Sequence, residues 1–104
     1  MKHGLTELCY GFFSTLANPT RLAIIELLDE APMSVTQMVE ALGQEQSMVS
    51  HNIKLLEKCG IVHSERRGKE KYVTPNKDTV DALFRVVERH AEKCCALKGS
   101  CVRC

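Results

Sequence analysis

The chain of 104 residues lacks any apolar run close to the roughly 20 residues that a membrane-spanning helix needs. It also lacks internal repeats and low-complexity linkers, so we expect a single domain. The first residues, 1–4, are mixed in character and do not resemble a signal peptide. We therefore expect a soluble, cytoplasmic protein with no membrane partner.

Features typical of enzymes are missing as well. No histidine and carboxylate residues cluster at ligand spacing, and no nucleophile–base arrangement or cofactor motif is present, so we do not expect an enzyme. The composition, 44% hydrophobic and 26% charged, is that of an ordinary globular protein. A domain of this length buries only about two-thirds of its extended surface, so association with a second copy would help to stabilise it.

The net charge is only +1, but its distribution along the chain is uneven. Residues 1–50 carry two basic and six acidic side chains, whereas residues 51–71 carry six basic and three acidic ones. Taken alone, the excess of basic residues at 51–71 would indicate only a solvated surface. Because this segment also has the pattern of a helix followed by a hairpin, we favour contact with a polyanion instead.

Apolar residues recur at helical spacing in five segments of the chain. Capping and terminating residues set their bounds, because Asn18-Pro19 and Ser34 favour helix starts and Gly43 and Gly60 favour helix ends. Asn76 is expected to cap the last helix. The predicted helices cover approximately residues 5–16, 19–29, 35–42, 47–59 and 77–97.

The apolar faces of these helices predict which side chains are buried. In the second helix these are Leu22, Ile25 and Leu28. Cys9 and Cys59 also lie on apolar faces, and we expect both to be buried packing residues. The first and last helices carry more apolar surface than one small core needs, which favours a homodimer formed through these two helices.

The third and fourth helices, joined by a short turn that contains glycine, form a predicted helix-turn-helix. The fourth helix places Val49, Ile53 and Leu56 on one face and polar side chains on the other, and a polar face suits the DNA major groove. Residues 61–64 and 71–74 predict two antiparallel strands around the charged turn 65–70. The predicted fold is mainly α with a small antiparallel hairpin, a winged helix-turn-helix.

Polar and basic residues of this unit are candidates for contacts with double-stranded operator DNA. On the fourth helix His51 and Lys54 could equally be solvated surface residues. The paired arginines of the wing have little structural purpose in a turn, so phosphate contacts are favoured. The residues proposed from the pattern are Ser47, Ser50, His51, Lys54, Arg66, Arg67, Lys69 and Lys71.

Three segments, 16–22, 47–56 and 60–62 with the wing that follows, resemble the arsenic-repressor (ArsR-type) family of winged-helix transcription factors. The resemblance covers roughly residues 5–97. It implies a cytoplasmic homodimeric repressor that leaves its operator when a metal or metalloid binds. It also implies that Gln46 faces DNA together with the other polar residues of the fourth helix.

Four of the six cysteines lie within the last 11 residues, at Cys94, Cys95, Cys101 and Cys104. Thiolates are soft ligands that select soft ions, so As(III), Zn(II), Cd(II), Pb(II), Cu(I) and an iron–sulfur cluster are all candidates. The resemblance implies arsenite binding through Cys94, Cys95 and Cys101, which match a Cys-Cys pair followed by a third cysteine after five residues. Cys104 is additional. We therefore predict a DNA-binding and dimerisation domain at 1–97 and a cysteine-rich tail at 98–104, with As(III) as the favoured effector.

Alternatives to a metal sensor stay open at this point. The same DNA-binding repressor could use the tail cysteines as a redox or iron–sulfur switch. The tail could also be an incidental set of thiols, and a contact that reaches Cys9 across the dimer is a further option. Neither the operator sequence nor the identity of the ion follows from the residues.

Overall fold

The computed structural model describes residues 4–95, and within that range the chain forms five α-helices, three β-strands and one short π-helical segment. The winged helix-turn-helix predicted from the sequence is confirmed. The predicted boundary between residues 97 and 98 lies outside the described residues. In chain order the elements are α1 (Leu5–Leu16), α2 (Pro19–Glu30), β1 (Met33–Ser34), α3 (Val35–Leu42), α4 (Gln46–Lys58), β2 (Val62–Arg67), β3 (Glu70–Pro75), α5 (Lys77–His90) and the π-helical segment (Ala91–Cys95).

Two predicted helix starts are confirmed by side-chain caps. The Asn18 side chain accepts a hydrogen bond from the backbone N–H of Arg21 at 3.1 Å. Ser34 accepts from the backbone N–H of Gln37, and the Gln37 side chain accepts from the backbone N–H of Ser34. This reciprocal pair satisfies two backbone groups that a helix terminus otherwise leaves without partners.

The two predicted glycine stops are also confirmed. Gly43 follows α3 with φ of 64°, and Gly60 follows α4 with φ of 72°. Both values lie in the left-handed region that glycine adopts without the steric cost other residues meet. These two turns set the length of α4 and the point at which the chain enters the wing.

Asn76 occupies the N-terminal cap position of α5, as predicted, and its backbone carbonyl accepts from the Val80 N–H at 2.9 Å, but the predicted side-chain cap is not formed. The Asn76 side chain instead donates to the backbone carbonyl of Gly60 at 3.1 Å. The backbone N–H of Asn76 donates to the Ile61 carbonyl at 2.8 Å. Asn76 therefore ties the end of β3 to the loop after α4, where two carbonyl groups need donors.

The sheet differs from the predicted two-stranded hairpin. It has three antiparallel strands in the order β1-β3-β2, and β1 pairs Met33 with Val73 and Ser34 with Tyr72. A strand of two residues is too short to give a periodic sequence signal. Strands β2 and β3 are also longer than predicted, so that only Gly68 and Lys69 form the turn.

The core lies between α2, α3, α4 and the inner face of the sheet. Within residues 4–93 its buried apolar side chains are Leu16, Ile24, Ile25, Leu28, Val35, Met38, Val49, Ile53, Leu56, Ile61, Val62, Val73 and Val80. The prediction for Leu22 is wrong, since this side chain is 41% exposed and Ile24 is fully buried instead. The buried stripe of α2 runs through Ile24, Ile25 and Leu28, and Leu22 lies to one side of it.

The prediction that Cys9 and Cys59 are buried is also wrong, because both are exposed. Helix α1 buries only Leu16 among its twelve residues, so the apolar face that carries Cys9 is not covered by the part of the chain that the structure describes. Cys59 follows the last residue of α4, and its thiol donates to the Thr15 hydroxyl at 3.1 Å. Amphipathic periodicity identifies an apolar face but not whether a neighbour covers it.

Across residues 4–95 we find no helix with the length and apolar character needed to cross a membrane.

Candidate nucleic-acid interface

Helix α4 presents a polar outer face because its inner face is anchored in the core. Val49, Ile53 and Leu56 are fully buried. Elsewhere on the helix Gln46, Ser47, His51 and Lys54 are exposed, and Ser50 is half-buried. The structure thus brings all five helix residues proposed from the sequence to the accessible side of one helix. Hydroxyl, imidazole, amide and ammonium groups there can meet base edges or phosphates.

The wing is a tight hairpin whose register decides where each basic side chain lies. Arg66 is opposite Lys71, and Ser64 is opposite Val73. Directly opposite residues share a face and successive residues alternate between faces. Arg66 and Lys71 therefore share the face of the buried Val73, which is the face turned toward α4.

Lys71 confirms the orientation of that face through a contact with α4. Its Nζ lies 3.2 Å from the Glu57 Oε1, and both side chains are about one-third exposed. Part of the Lys71 charge is therefore matched within the protein. Arg66 is exposed on the same face. Of the basic residues there, Arg66 is the better placed to meet a phosphate next to α4.

Arg67 lies on the opposite face of the hairpin. Its Nη2 is 3.5 Å from the Glu65 Oε2, and its guanidinium carbon is 5.1 Å from the centre of the Tyr72 ring. An ion pair and a cation–π contact hold the side chain against the wing itself. The two neighbouring arginines, which were predicted as one basic pair, thus have different surroundings.

Lys69 occupies the tip of the wing. The hairpin loop contains two residues, with Gly68 at its first position and φ of 64°. Tight hairpin turns favour glycine there because the chain must take a positive φ. Lys69 is exposed at the second position, at the point of the wing farthest along the hairpin from the core.

Two residues of this region were missed by the reasoning from sequence. Asn52 lies on α4 and is only 7% exposed, and its Oδ1 accepts a hydrogen bond from the Arg21 Nε at 3.1 Å. Arg21 could have been singled out from the sequence, because it is the only lysine or arginine between residues 3 and 53. Asn52 could not, because a polar residue beside an apolar stripe is common in helices.

The predicted thiol site is only partly within the described residues. The backbone of Cys94 and Cys95 forms the end of the π-helical segment that continues α5. Cys101 and Cys104 lie outside the described residues. Among the residues that the structure covers, no group of three or more histidine, cysteine or carboxylate side chains is placed to hold a metal ion.

A helix-turn-helix with a basic wing defines this chain as a winged helix-turn-helix protein, and comparison with known proteins gives its family. Residues 18–64 match the family described as bacterial regulatory protein, arsR family. The chain is 44% identical over 54 residues to the transcriptional regulator NmtR of Mycobacterium tuberculosis, a match that covers 52% of this chain and 45% of NmtR. It is 31% identical over 77 residues to an HTH-type transcriptional regulator of Methanocaldococcus jannaschii, covering 73% of this chain and 86% of that protein.

A solved structure agrees with these matches. The solution structure of the homodimeric winged helix-turn-helix DNA-binding domain of a possible ArsR-family regulator from Mycobacterium bovis superposes with a TM-score of 0.78. It is 26% identical, and the match covers 89% of each chain. The present chain belongs to the arsR family of bacterial regulatory proteins, and the relatives that it matches are named as transcriptional regulators. Its matches span about half to two-thirds of the length of several relatives.

Proposed function

We propose that this protein is a homodimeric, cytoplasmic transcriptional repressor that binds operator DNA and releases it when a soft metal or metalloid binds. One observation carries the DNA-binding part of this proposal. The polar face of α4 and the face of the wing that bears Arg66 are adjacent and accessible, while the other side of α4 is buried in the core. Among residues 4–95 such a surface serves no packing purpose, and its chemistry matches the grooves and phosphates of duplex DNA.

Exposed apolar residues on α1 and α5 support the dimer. Leu8, Tyr10 and Phe13 on α1 are between 57% and 76% exposed, and Val86 and Val87 on α5 are 65% and 55% exposed. Exposed apolar surface of this extent is typical of an interface. A two-fold axis there would place two recognition helices about 34 Å apart, one turn of DNA.

Within this dimer the proposed contacts divide by chemistry. Ser47, Ser50 and His51, together with Gln46, would meet base edges or phosphates in the major groove. Lys54, Arg66 and Lys69 would neutralise phosphates and give binding a steep dependence on salt. Arg67 and Lys71 are expected to contribute less, because each is already paired within the wing or with α4.

The effector part of the proposal depends on the chemistry of the donors. Cys94, Cys95, Cys101 and Cys104 supply thiolates, which fit a soft ion, and As(III) is favoured because it takes three of them. Binding would hold the chain after Leu97 against α5 and change the α1–α5 interface. Moving an operator-competent population from about 99% to 1% requires about 5.5 kcal/mol of differential binding, which several metal–thiolate bonds can supply.

One titration tests this proposal. Operator release is measured by fluorescence anisotropy against As(III), Zn(II), Cd(II), Pb(II) and Cu(I), for the wild type and for a variant with Cys94, Cys95 and Cys101 replaced by serine. We expect As(III) to release the wild type and to leave the variant bound. A double variant, Cys9→Ser with Cys59→Ser, is the matched control and should release normally.

The same titration separates the rival readings of the tail. Identical release curves for the wild type and the triple variant would contradict a sensor in the tail. Release by peroxide or a disulfide, with no response to any of the five ions under reducing conditions, would replace the metal effector by a redox switch. An absorption spectrum after anaerobic purification reports an iron–sulfur cluster.

A further inference from the structure

Helix α4 carries a buried polar contact in addition to its apolar packing. Asn52 is 7% exposed on the flank of α4, next to the stripe of Val49, Ile53 and Leu56. Its Oδ1 accepts from the Arg21 Nε at 3.1 Å, and its Nδ2 donates to the Met48 carbonyl at 3.0 Å. Apolar packing has little directional preference, whereas a buried hydrogen bond to a charged group is directional and costly to break.

Arg21 extends this contact to the end of α1. Its Nη1 donates to the backbone carbonyl of Thr15 at 2.9 Å, in the last turn of that helix. Its own backbone N–H is held by the Asn18 side chain, at the start of α2. The guanidinium group is planar and its donors are fixed in direction. One side chain therefore fixes the middle of α4 relative to the end of α1.

We infer that Arg21 and Asn52 are positioning residues for operator recognition, a proposal that rests on the proposed DNA-binding function. They fix how α4 is rotated about its axis and placed relative to α1. Ser47 and His51 lie within about one and a half turns of Asn52 on the same helix, so a rotation of α4 moves both away from the base edges they face. Phosphate contacts from the wing do not depend on that rotation, and the long, flexible side chain of Lys54 can still reach a phosphate after a small rotation.

The positioning role can be told apart from loss of a DNA contact and from loss of folding by two quantities, the preference for the operator and the salt dependence of binding. Disturbing a positioning residue should lower the preference for the operator over random DNA and leave the salt dependence unchanged. Removing a phosphate contact should weaken both kinds of binding alike and reduce the salt slope by about one unit. The thermal unfolding temperature, measured on each variant, separates both effects from simple loss of structure.

The variants are Arg21→Lys, which keeps the charge but loses the planar fork, and Asn52→Leu, which keeps approximate side-chain size but loses both hydrogen bonds. Lys54→Ala is the matched control for a phosphate contact. The probes are a duplex selected by the wild-type protein from a random-sequence library, and poly(dI-dC) as random DNA. We expect about a tenfold fall in the affinity ratio for each positioning variant, with an unchanged salt slope.

The double variant sharpens the test. Because Arg21 and Asn52 act through one contact, combining the two substitutions should cost much less than the sum of the single effects. The positioning role would be overturned if a folded Arg21→Lys protein kept the wild-type ratio of operator affinity to random-DNA affinity. A reduced salt slope like that of Lys54→Ala would also overturn it. Failure of the wild type to select any sequence would instead overturn the proposed function, so the two failures are distinguishable.

Discussion

Arg66 and Arg67 are neighbours in the sequence but occupy opposite faces of the wing. Arg66 shares its face with Lys71 and the buried Val73, beside α4. Arg67 is held by Glu65 and the ring of Tyr72. Successive residues of a strand point to opposite faces, so the two arginines have different surroundings. Which face each one takes follows from the hairpin register, and the two-residue turn sets that register.

This difference leads to a prediction at the scale of single residues. Arg66→Ala should weaken operator binding by about tenfold and reduce the salt slope by about one, because a phosphate contact is lost. Arg67→Ala should have a several-fold smaller effect. Fluorescence anisotropy with operator DNA at a series of salt concentrations measures both quantities. Equal losses in the two variants would show that the two faces of the wing are equivalent in the complex.

At the scale of elements, α3 shows how a short helix is stabilised. It has only eight residues, which is too few to be stable in isolation. The reciprocal bonds of Ser34 and Gln37 at its start, and Gly43 at its end, satisfy groups that would otherwise lack partners. Ser34 also belongs to β1, so that the capping residue joins the helix directly to the sheet.

We therefore expect Ser34→Ala to lower the free energy of unfolding by about 1–2 kcal/mol, since the N-cap is lost. The Ser34 side chain is also almost fully buried, which places the effect at the upper end of that range. Urea denaturation followed by circular dichroism gives the value. Thr36→Ala, an exposed substitution in the first turn of the same helix, is the matched control and should change stability by less than about 0.5 kcal/mol.

At the scale of the whole molecule, the exposed face of α1 is the feature that one chain leaves unexplained. Helix α1 buries only Leu16 of its own residues, and apolar side chains on α1 and α5 remain accessible. The same arrangement explains why Cys9 is exposed, although its helical face is apolar. A second copy of the chain is the partner we propose for this surface.

Phe13→Glu is expected to raise the dissociation constant of the proposed dimer by more than about tenfold, because burial of a large apolar side chain is lost on both sides of a two-fold interface. Sedimentation velocity over a range of concentrations measures the change. Met48→Glu is the matched control, since Met48 is a similarly exposed apolar residue on α4 and is not one of the apolar residues proposed for the interface. A monomeric wild type would contradict the dimer.

Much of the fold could be predicted because its signals are local. The apolar periodicity of α2 to α5, the caps at Asn18 and Ser34, and the stops at Gly43 and Gly60 each depend on a few neighbouring residues. The predictions that were wrong depend on distant neighbours. Strand β1 exists only through pairing with β3, the Asn76 side chain binds the Gly60 carbonyl instead of capping α5, and Leu22 lies outside the buried stripe.

The sequence by itself determined the five helices, the two strands of the wing, the family and the polar face of α4, because periodicity, capping and residue chemistry act over a few residues. Only the tertiary structure decided which arginine faces α4, whether Cys9 and Cys59 are covered, and that Arg21 joins Asn52 to the end of α1. Those facts follow from contacts between residues far apart in the chain, and no local pattern of residues encodes such contacts.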